Sequence, residues 1–176
     1  MTPLVVVCGP PASGKTTLAG AIGKHLGLPV ISKDLVKERM ADHIGSAPGL
    51  GAAAFAVQFA IARELLVSGS GLVLEGAFFR DQSEIADIAT LGDTIVVDVV
   101  CELEELERRY AERHSERHPA HRGPEALPDL RERVRKGEYG VPELARPMLR
   151  VDTTDGLEPS EAEVLGWIRD QLDGVR

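Results

Sequence analysis

The sequence contains the stretch Gly9-Pro10-Pro11-Ala12-Ser13-Gly14-Lys15-Thr16, which fits the pattern G-x-x-x-x-G-K-T. An apolar run from Leu4 to Cys8 precedes it, as expected for a buried parallel strand. The residues that follow, Thr17 to Leu26, carry apolar side chains at helical spacing. The stretch therefore lies between a strand and a helix, and this context distinguishes a phosphate-binding loop from an ordinary glycine-rich turn.

The residue types of this loop suit a bound polyphosphate. Gly9 and Gly14 allow backbone torsions that a side chain would forbid, and the loop N–H groups and the helix N-terminus then point at one anion. We expect Lys15 to reach the β- and γ-phosphates of a nucleotide and the Thr16 hydroxyl to ligate Mg²⁺. The predicted nucleotide-binding residues of this region are Gly9, Pro10, Pro11, Ala12, Ser13, Gly14, Lys15, Thr16 and Thr17.

Composition and charge limit the class of protein. A chain of 176 residues is expected to form a single domain, residues 1–176, and 43% hydrophobic residues can build its core. The formal net charge of −8 argues against a broad nucleic-acid surface, which needs a basic footprint. The basic residues nevertheless cluster between Arg108 and Lys136, which is compatible with a local basic pocket.

The sequence also predicts a cytoplasmic protein without membrane contact. No apolar run approaches the roughly 20 residues that span a bilayer, and the first predicted strand leaves no room for a signal peptide. Cys8 and Cys101 are interpreted as reduced, buried thiols at strand ends, because two cysteines without a secretory signal do not indicate a disulfide framework.

Strands and helices alternate along the chain. Strands are predicted at Leu4–Cys8, Pro29–Ile31, Leu72–Gly76, Thr94–Cys101 and Met148–Val151. Helices are predicted at Thr17–Leu26, from after Asp34 to about Ile44, Ala52–Val67, Asp81–Leu91, Leu103–Glu116, Asp129–Lys136 and Ser160–Leu172, the last with a capping box of Ser160 and Glu163. This order predicts an α/β fold with a parallel sheet between two helical layers. Ligands of such sheets bind beyond the carboxyl ends of the strands, which gathers the loops after the five strands into one cleft.

Two acids lie at those carboxyl ends. Asp34 follows the second strand, where a carboxylate can orient an alcohol and accept its proton; the alternative is an N-cap of the next helix, a role that Ser32 could also fill. Glu75 ends an apolar strand and needs a cation or a donor. Its possible partners are the Mg²⁺ shell, a substrate hydroxyl, or a structural hydrogen bond to the phosphate loop.

Cations are expected on the other side of the cleft. Arg109 and Arg113 share one face of a helix, and two guanidiniums suit the charge of a triphosphate. The alternative is a solvated helix surface rich in glutamates, which we expect for Arg108. The segment from Arg117 to Arg122, including His118 and His121, is interpreted as a mobile lid that supplies cations, because two histidines alone do not complete a zinc site. The sequence has no NKxD box for guanine, which favours ATP over GTP.

These motifs resemble a known group of enzymes. GPPASGKT (9–16), SKD (32–34), LVLEGAFFR (72–80) and ELEELERRYAER (102–113) before an Arg/His segment are similar to the small P-loop kinases. That group includes zeta-toxin-like and chloramphenicol-phosphotransferase-like enzymes and polynucleotide 5′-hydroxyl kinases, with adenylate and shikimate kinases as relatives. The resemblance implies a three-layer α/β/α P-loop NTPase fold, a five-stranded parallel sheet in the order 2-3-1-4-5, a short lid at about 114–137, ATP and Mg²⁺.

The resemblance also implies roles for individual residues. Lys15 and Thr16 match the phosphate and metal residues, Asp34 the catalytic base, Arg113 the lid-side arginine, and the loop from Asp152 to Asp155 the border of the adenine site. Many relatives carry Asp where this chain has Glu75. The further nucleotide-binding residues are then Arg109, Arg113, Asp152, Thr153 and Thr154. The predicted substrate-binding residues are Asp34, Glu75, Arg80, Arg117, His118, His121 and Arg122.

The sequence therefore predicts an ATP-dependent phosphotransferase acting on a hydroxyl group of a small molecule such as a sugar, a nucleoside or an antibiotic. The alternatives are a polynucleotide 5′-hydroxyl kinase, motivated by the basic segment and opposed by the net charge, and a nucleotide-dependent regulatory module. The identity of the acceptor and the oligomeric state are not predicted.

Overall fold

The predicted alternation of strands and helices produces one parallel sheet in the order β2-β3-β1-β4-β5, as the resemblance implied. The computed structural model describes residues 2–174, apart from the side chain of His114. The strands are β1 (Pro3–Cys8), β2 (Val30–Ser32), β3 (Leu72–Gly76), β4 (Asp93–Val100) and β5 (Met148–Asp152). The helices of the described chain are α1 (Lys15–Leu26), α2 (Lys33–Ile44), α3 (Leu50–Val67), α4 (Ser83–Ala89), α5 (Leu103–Glu112), α6 (Leu127–Arg135) and α7 (Glu161–Gly174).

Strand β1 lies at the centre of the sheet and is covered on both faces. Leu4 to Cys8 are fully buried, which explains why this strand is apolar at every position and does not alternate. Leu4, Val6 and Cys8 pack toward α3 and α4, whereas Val5 and Val7 pack toward α1 and α7. The carboxyl end of β1 is thereby fixed, and the phosphate loop leaves from that end.

The helix boundaries differ from the prediction at three places that affect the site. Helix α1 begins at Lys15, so the Lys15 and Thr16 side chains leave its first turn. Helix α5 ends at Glu112, and Arg113–Glu116 form a 3-10 turn in place of the predicted helix end. Helix α6 begins at Leu127, two residues before the predicted start at Asp129, because the first turn of a helix tolerates Pro128. The capping box of α7 is present: Ser160 N donates to the Glu163 carboxylate over 2.9 Å.

Helix α3 is unusually apolar. Its length and composition alone would suit a membrane span, yet Phe59, Ala62 and Leu66 are buried against β1 and β3 in the core of the domain. The cysteines are free thiols, Cys8 buried and Cys101 half-buried. Helix α3 is therefore a core helix of the α/β fold, and its apolar composition reflects packing on the sheet.

Helix α1 crosses the chain entering β2 at Gly23. A Cβ atom at this position would overlap the Val30 methyl group and lie 3.0 Å from the Leu28 carbonyl oxygen. We expect Gly23→Ala to lower the free energy of unfolding by about 1–3 kcal/mol, the usual cost of overpacking. The matched control is Gly20→Ala in the same helix, where a Cβ meets no atom within 4 Å; it should stabilise by about 1 kcal/mol through helix propensity. Urea unfolding measures both, and equal effects would contradict the packing argument.

Candidate functional site

The phosphate loop has the backbone that its sequence predicts. Gly9 has φ 146° and Gly14 has φ 83°, both in the left-handed region, and a Cβ on Gly9 would overlap the Val99 carbonyl oxygen. Ala12 also has a positive φ, 66°, which costs energy for a residue with a side chain. Within the described chain, the Ser13 hydroxyl is buried and has no hydrogen-bond partner. Left-handed residues of this kind let successive backbone N–H groups converge on an anion, as polyphosphate binding requires.

The Glu75 carboxylate lies directly behind this loop and is 1% exposed. It accepts hydrogen bonds from the Thr16 hydroxyl at 3.2 Å and from the Ser32 hydroxyl at 2.6 Å. The Lys15 ammonium lies 3.8 Å from the same carboxylate and donates to the Pro10 carbonyl over 3.3 Å. Glu75 therefore forms a structural hydrogen bond to the phosphate loop. The donor of this bond is the Thr16 hydroxyl, which is also the predicted metal ligand.

Gln58 supports this arrangement from helix α3. Its Nε2 donates to the Ile31 carbonyl at 2.8 Å and to the Glu75 carbonyl at 2.7 Å. A single amide thus holds α3 against the ends of β2 and β3. Gln58 was absent from the predicted site residues, although a fully buried amide among the apolar residues of one helix is a recognisable signal.

Asp34 lies in the first turn of α2 and is half-buried. It does not cap the helix, since Ser32 is the N-cap residue and its hydroxyl bonds Glu75 instead of the backbone. The Asp34 carboxylate accepts a hydrogen bond from Lys33 Nζ at 3.1 Å. Burial alone would raise the pKa of Asp34, but the nearby positive charges of Lys33 and Lys15 outweigh it and lower the pKa to about 2. Asp34 is therefore ionised at neutral pH.

A cleft of about 820 Å³ brings the predicted groups together. It extends from the phosphate loop, across α2, to the segment after α5. Its lining includes Thr16, Thr17, Ser32, Asp34, Glu38, Arg113, Arg117, His118 and His121. The predicted base and two of the predicted lid arginines thus line the same space as the start of α1.

The segment 113–121 is joined to helix α2 by two histidines. His118 Nε2 lies 2.9 Å from the Asp42 carboxylate, and His121 Nε2 lies 2.8 Å from the Glu38 carboxylate. Burial lowers the pKa of His121, although its bond to Glu38 acts in the opposite direction. These histidines line the cleft, but their protein partners are carboxylates of α2.

The remaining cations have different neighbours. Arg108 is bound by Glu105 and Glu112 on the helix surface, in agreement with the expectation that it belongs to a solvated, glutamate-rich surface. Arg122 pairs with Asp129 at 2.9 Å. Arg80 donates to the Gly137 carbonyl at 3.0 Å and lines a separate cavity. Arg122 and Arg80 are therefore outside the cleft lining that contains Asp34.

Arg109 connects α5 with the loop that follows β5. Its guanidinium donates to the Thr153 carbonyl at 2.6 Å and to the Thr154 carbonyl at 3.2 Å. The Thr153 hydroxyl in turn donates to the Ser13 carbonyl of the phosphate loop at 2.9 Å. Asp152 accepts from the Thr154 hydroxyl at 2.6 Å and lines a smaller cavity beside Glu102. The loop predicted to border the adenine is thus tied to the phosphate loop.

The described residues contain no cluster of three or more His, Cys, Asp or Glu side chains that could hold a metal. The oxygen donors beside the phosphate loop are the Thr16 hydroxyl and the Glu75 carboxylate, 3.2 Å apart. Oxygen donors of this kind suit Mg²⁺, which uses few protein ligands and completes its octahedron with phosphate and water. The site therefore fits a metal that arrives with a nucleotide.

The contacts of Glu75 predict that this residue contributes to the stability of the protein. In Glu75→Gln the buried Lys15 ammonium loses its negative neighbour, so we expect the free energy of unfolding to fall by about 1–3 kcal/mol. A bound ADP gives Lys15 new negative partners, so the deficit should shrink when ADP saturates the protein. Chemical unfolding with and without ADP measures this difference, and exposed Glu64→Gln on α3 is the matched control. A deficit that is equal in both conditions would contradict the pairing.

Three solved structures resemble the chain over nearly its whole length. A candidate kinase from Chloroflexus aurantiacus J-10-fl is 30% identical, with a TM-score of 0.84, over 97% of this chain and 98% of that one. An APS kinase from Mycobacterium tuberculosis, solved with AMPPNP and APS, is 20% identical, with a TM-score of 0.59, over 98% of each chain. A gluconokinase from Sinorhizobium meliloti 1021 is 19% identical, with a TM-score of 0.59, over 98% of this chain and 93% of that one.

Sequence comparison identifies a family but no curated relative. None of the curated proteins that were compared with the chain is significantly similar in sequence. The model of the family described as AAA domain matches residues 4–136, which is more than half of the chain. The sheet order, the phosphate loop and these matches lead to one conclusion: the chain belongs to the AAA-domain family and, with its kinase neighbours, to the small P-loop kinases.

Proposed function

We propose that the protein transfers the γ-phosphate of ATP to a hydroxyl group of a small molecule. The observation that carries this proposal is the cleft itself, in which the start of α1 and the ionised Asp34 carboxylate face the same space. A nucleotide held by the loop would direct its γ-phosphate toward that space, because Lys15 and Thr16 leave the first turn of α1. The structural neighbour solved with AMPPNP supports a nucleotide ligand.

The nucleotide would lie across the loop with its base toward β5. Arg109, Thr153 and Thr154 are proposed to border the adenine, since their mutual hydrogen bonds fix that loop beside Ser13. Thr16 would ligate Mg²⁺, with Glu75 orienting the hydroxyl. A metal ion held by Thr16 would supply positive charge that offsets the negative charge of the phosphates during transfer.

Asp34 is proposed to position the acceptor. A carboxylate with a pKa of about 2 is ionised at neutral pH and can accept a hydrogen bond from an alcohol, but it is a weak base. Asp34 therefore aligns the hydroxyl for in-line attack and takes its proton only as the bond to phosphorus forms. Arg113, at the other side of the cleft, is proposed to meet the charge on the transferred phosphoryl group.

The pairing of the basic segment favours a small-molecule acceptor over a polynucleotide. Most of its cations are neutralised by acidic neighbours, including Arg131 by Glu107 at 2.6 Å and Lys136 by Glu132 at 2.6 Å. A surface that binds nucleic acid needs cations free to contact phosphates and to release counterions. Most basic side chains of this region therefore form ion pairs with acids of α5 and α6.

The test is ATP consumption with a panel of hydroxylated metabolites and with a 5′-hydroxyl oligonucleotide, with transfer followed by mass spectrometry. We expect phosphorylation of a small alcohol and none of the oligonucleotide. Labelling of the oligonucleotide that weakens steeply with salt would favour the polynucleotide kinase. ATP binding without ADP formation for any acceptor would overturn the proposal and favour a regulatory module.

Asp34→Asn separates acceptor chemistry from nucleotide binding. The amide has nearly the same shape but cannot accept a proton, so turnover should fall by roughly 10²–10⁴-fold while ATP affinity hardly changes. Lys15→Ala serves as the comparison, because it should lower both turnover and ATP affinity. Asp170→Asn, on the exposed surface of α7, is the matched control and should be as active as wild type. Near-normal turnover in Asp34→Asn would remove Asp34 from the mechanism.

A further inference from the structure

A second cavity, of about 690 Å³, lies between helices α3 and α4. Three aromatic residues, Phe55, Phe59 and Phe79, line it, with Lys33 at one end and Arg63 at the other. On α3, these lining residues extend from Gly51 to Arg63, a length of roughly 18 Å at 1.5 Å per helical residue. The cavity is therefore elongated, and its size falls within the range of sites that bind drug-sized molecules.

This cavity meets the transfer cleft at Lys33. The Lys33 side chain lines the cavity, and its ammonium lies 3.1 Å from the Asp34 carboxylate, which lines the cleft. The same ammonium lies 5.1 Å from the centre of the Phe55 ring. The charge of Lys33 is thus neutralised by Asp34 and stabilised by the face of the Phe55 ring. On the cavity side of Lys33, the neighbouring wall is this aromatic ring.

The middle of the cavity is built for apolar contact. The Phe55 and Phe59 rings are stacked with centroids 5.8 Å apart, and Phe78 supports both from behind. Beside them on the same helix, alanines recur at the four-residue spacing of one helix face: Ala52, Ala56 and Ala60. Their small side chains leave the rings accessible from the cavity. Water there would gain few hydrogen bonds, which favours an apolar occupant.

The cavity also has charged lining residues. Arg63 lies at its far end on α3, and Glu84 and Asp87 line it from α4; none of the ion pairs among residues 2–174 includes these side chains. Charges of both signs in the lining can accept a polar substituent of either character. The cavity thus combines aromatic walls with charged groups, and it reaches the Asp34 carboxylate of the neighbouring cleft through Lys33.

We propose that this cavity holds the body of the acceptor, and that the acceptor carries its hydroxyl on an apolar ring system with a polar substituent at its opposite end. This inference rests on the proposed function, because it assigns the second substrate of the same reaction. Of the acceptors considered from the sequence, it favours an antibiotic-like or other ring-bearing alcohol over a sugar. A sugar would place several hydroxyls against phenylalanine and alanine side chains, which offer them no hydrogen bonds.

The experiment fills the cavity without touching the transfer centre. Ala56→Leu places a larger side chain into the cavity, and Ala53→Leu makes the same change on an exposed, non-lining position of the same helix. The probe is naphthylmethanol, and its binding is measured by isothermal titration calorimetry, with glucose as the polar comparison. Wild type and Ala53→Leu should bind naphthylmethanol alike, and Ala56→Leu should bind it about tenfold or more weakly, as expected when an apolar pocket loses space. ADP affinity and melting temperature should be the same in all three proteins.

Three outcomes separate this inference from the proposed function. Equal naphthylmethanol binding by Ala56→Leu and Ala53→Leu, or tighter binding of glucose than of naphthylmethanol by wild type, would overturn the cavity assignment. If Ala56→Leu does not fold, Ala60→Leu fills the next turn and is judged by the same criterion. If naphthylmethanol binds as expected but no alcohol in the panel supports ADP formation, the proposed function fails and the assignment of an apolar ligand to the cavity stands.

Discussion

The buried carboxylate of Glu75 is the interaction on which the site depends. A charge at the end of an apolar strand is costly unless donors and cations surround it. Glu75 obtains them from β2 through Ser32, from the first turn of α1 through Thr16, and from the Lys15 ammonium. Because these partners come from different elements, satisfying one carboxylate brings the ends of two strands and the phosphate loop to fixed positions.

The same constraint extends outward from the sheet. Gln58 bonds the backbone of Glu75 and of Ile31, so α3 is aligned on the ends of β2 and β3. That alignment carries Phe55 to Lys33 and, through Lys33, sets the electrostatic environment of Asp34. The hydrogen bonds around the buried Glu75 carboxylate thus also position Phe55 in the wall of the neighbouring cavity. The phosphate loop and α3 are held in place by the same network.

The sequence predicted the parts of the site that depend on local signals. The phosphate loop, the apolar strands and the capping box of α7 are encoded within a few residues each, and all are present. The contacts of His118, His121 and Arg80 could not be predicted, because their partners are distant in sequence or are backbone carbonyls. The predicted start of α6, at Asp129, was two residues late, because the prediction began the helix after Pro128 although a first helical turn tolerates proline.

The contact of the 113–121 segment with α2 joins the two walls of the cleft through side chains that the proposed transfer step does not use. Glu38 and Asp42 lie one and two turns along α2 from Asp34, and each meets a histidine of the opposite wall. The width of the cleft is therefore set by two carboxylate–histidine contacts, whereas the chemistry is assigned to other side chains of the same space.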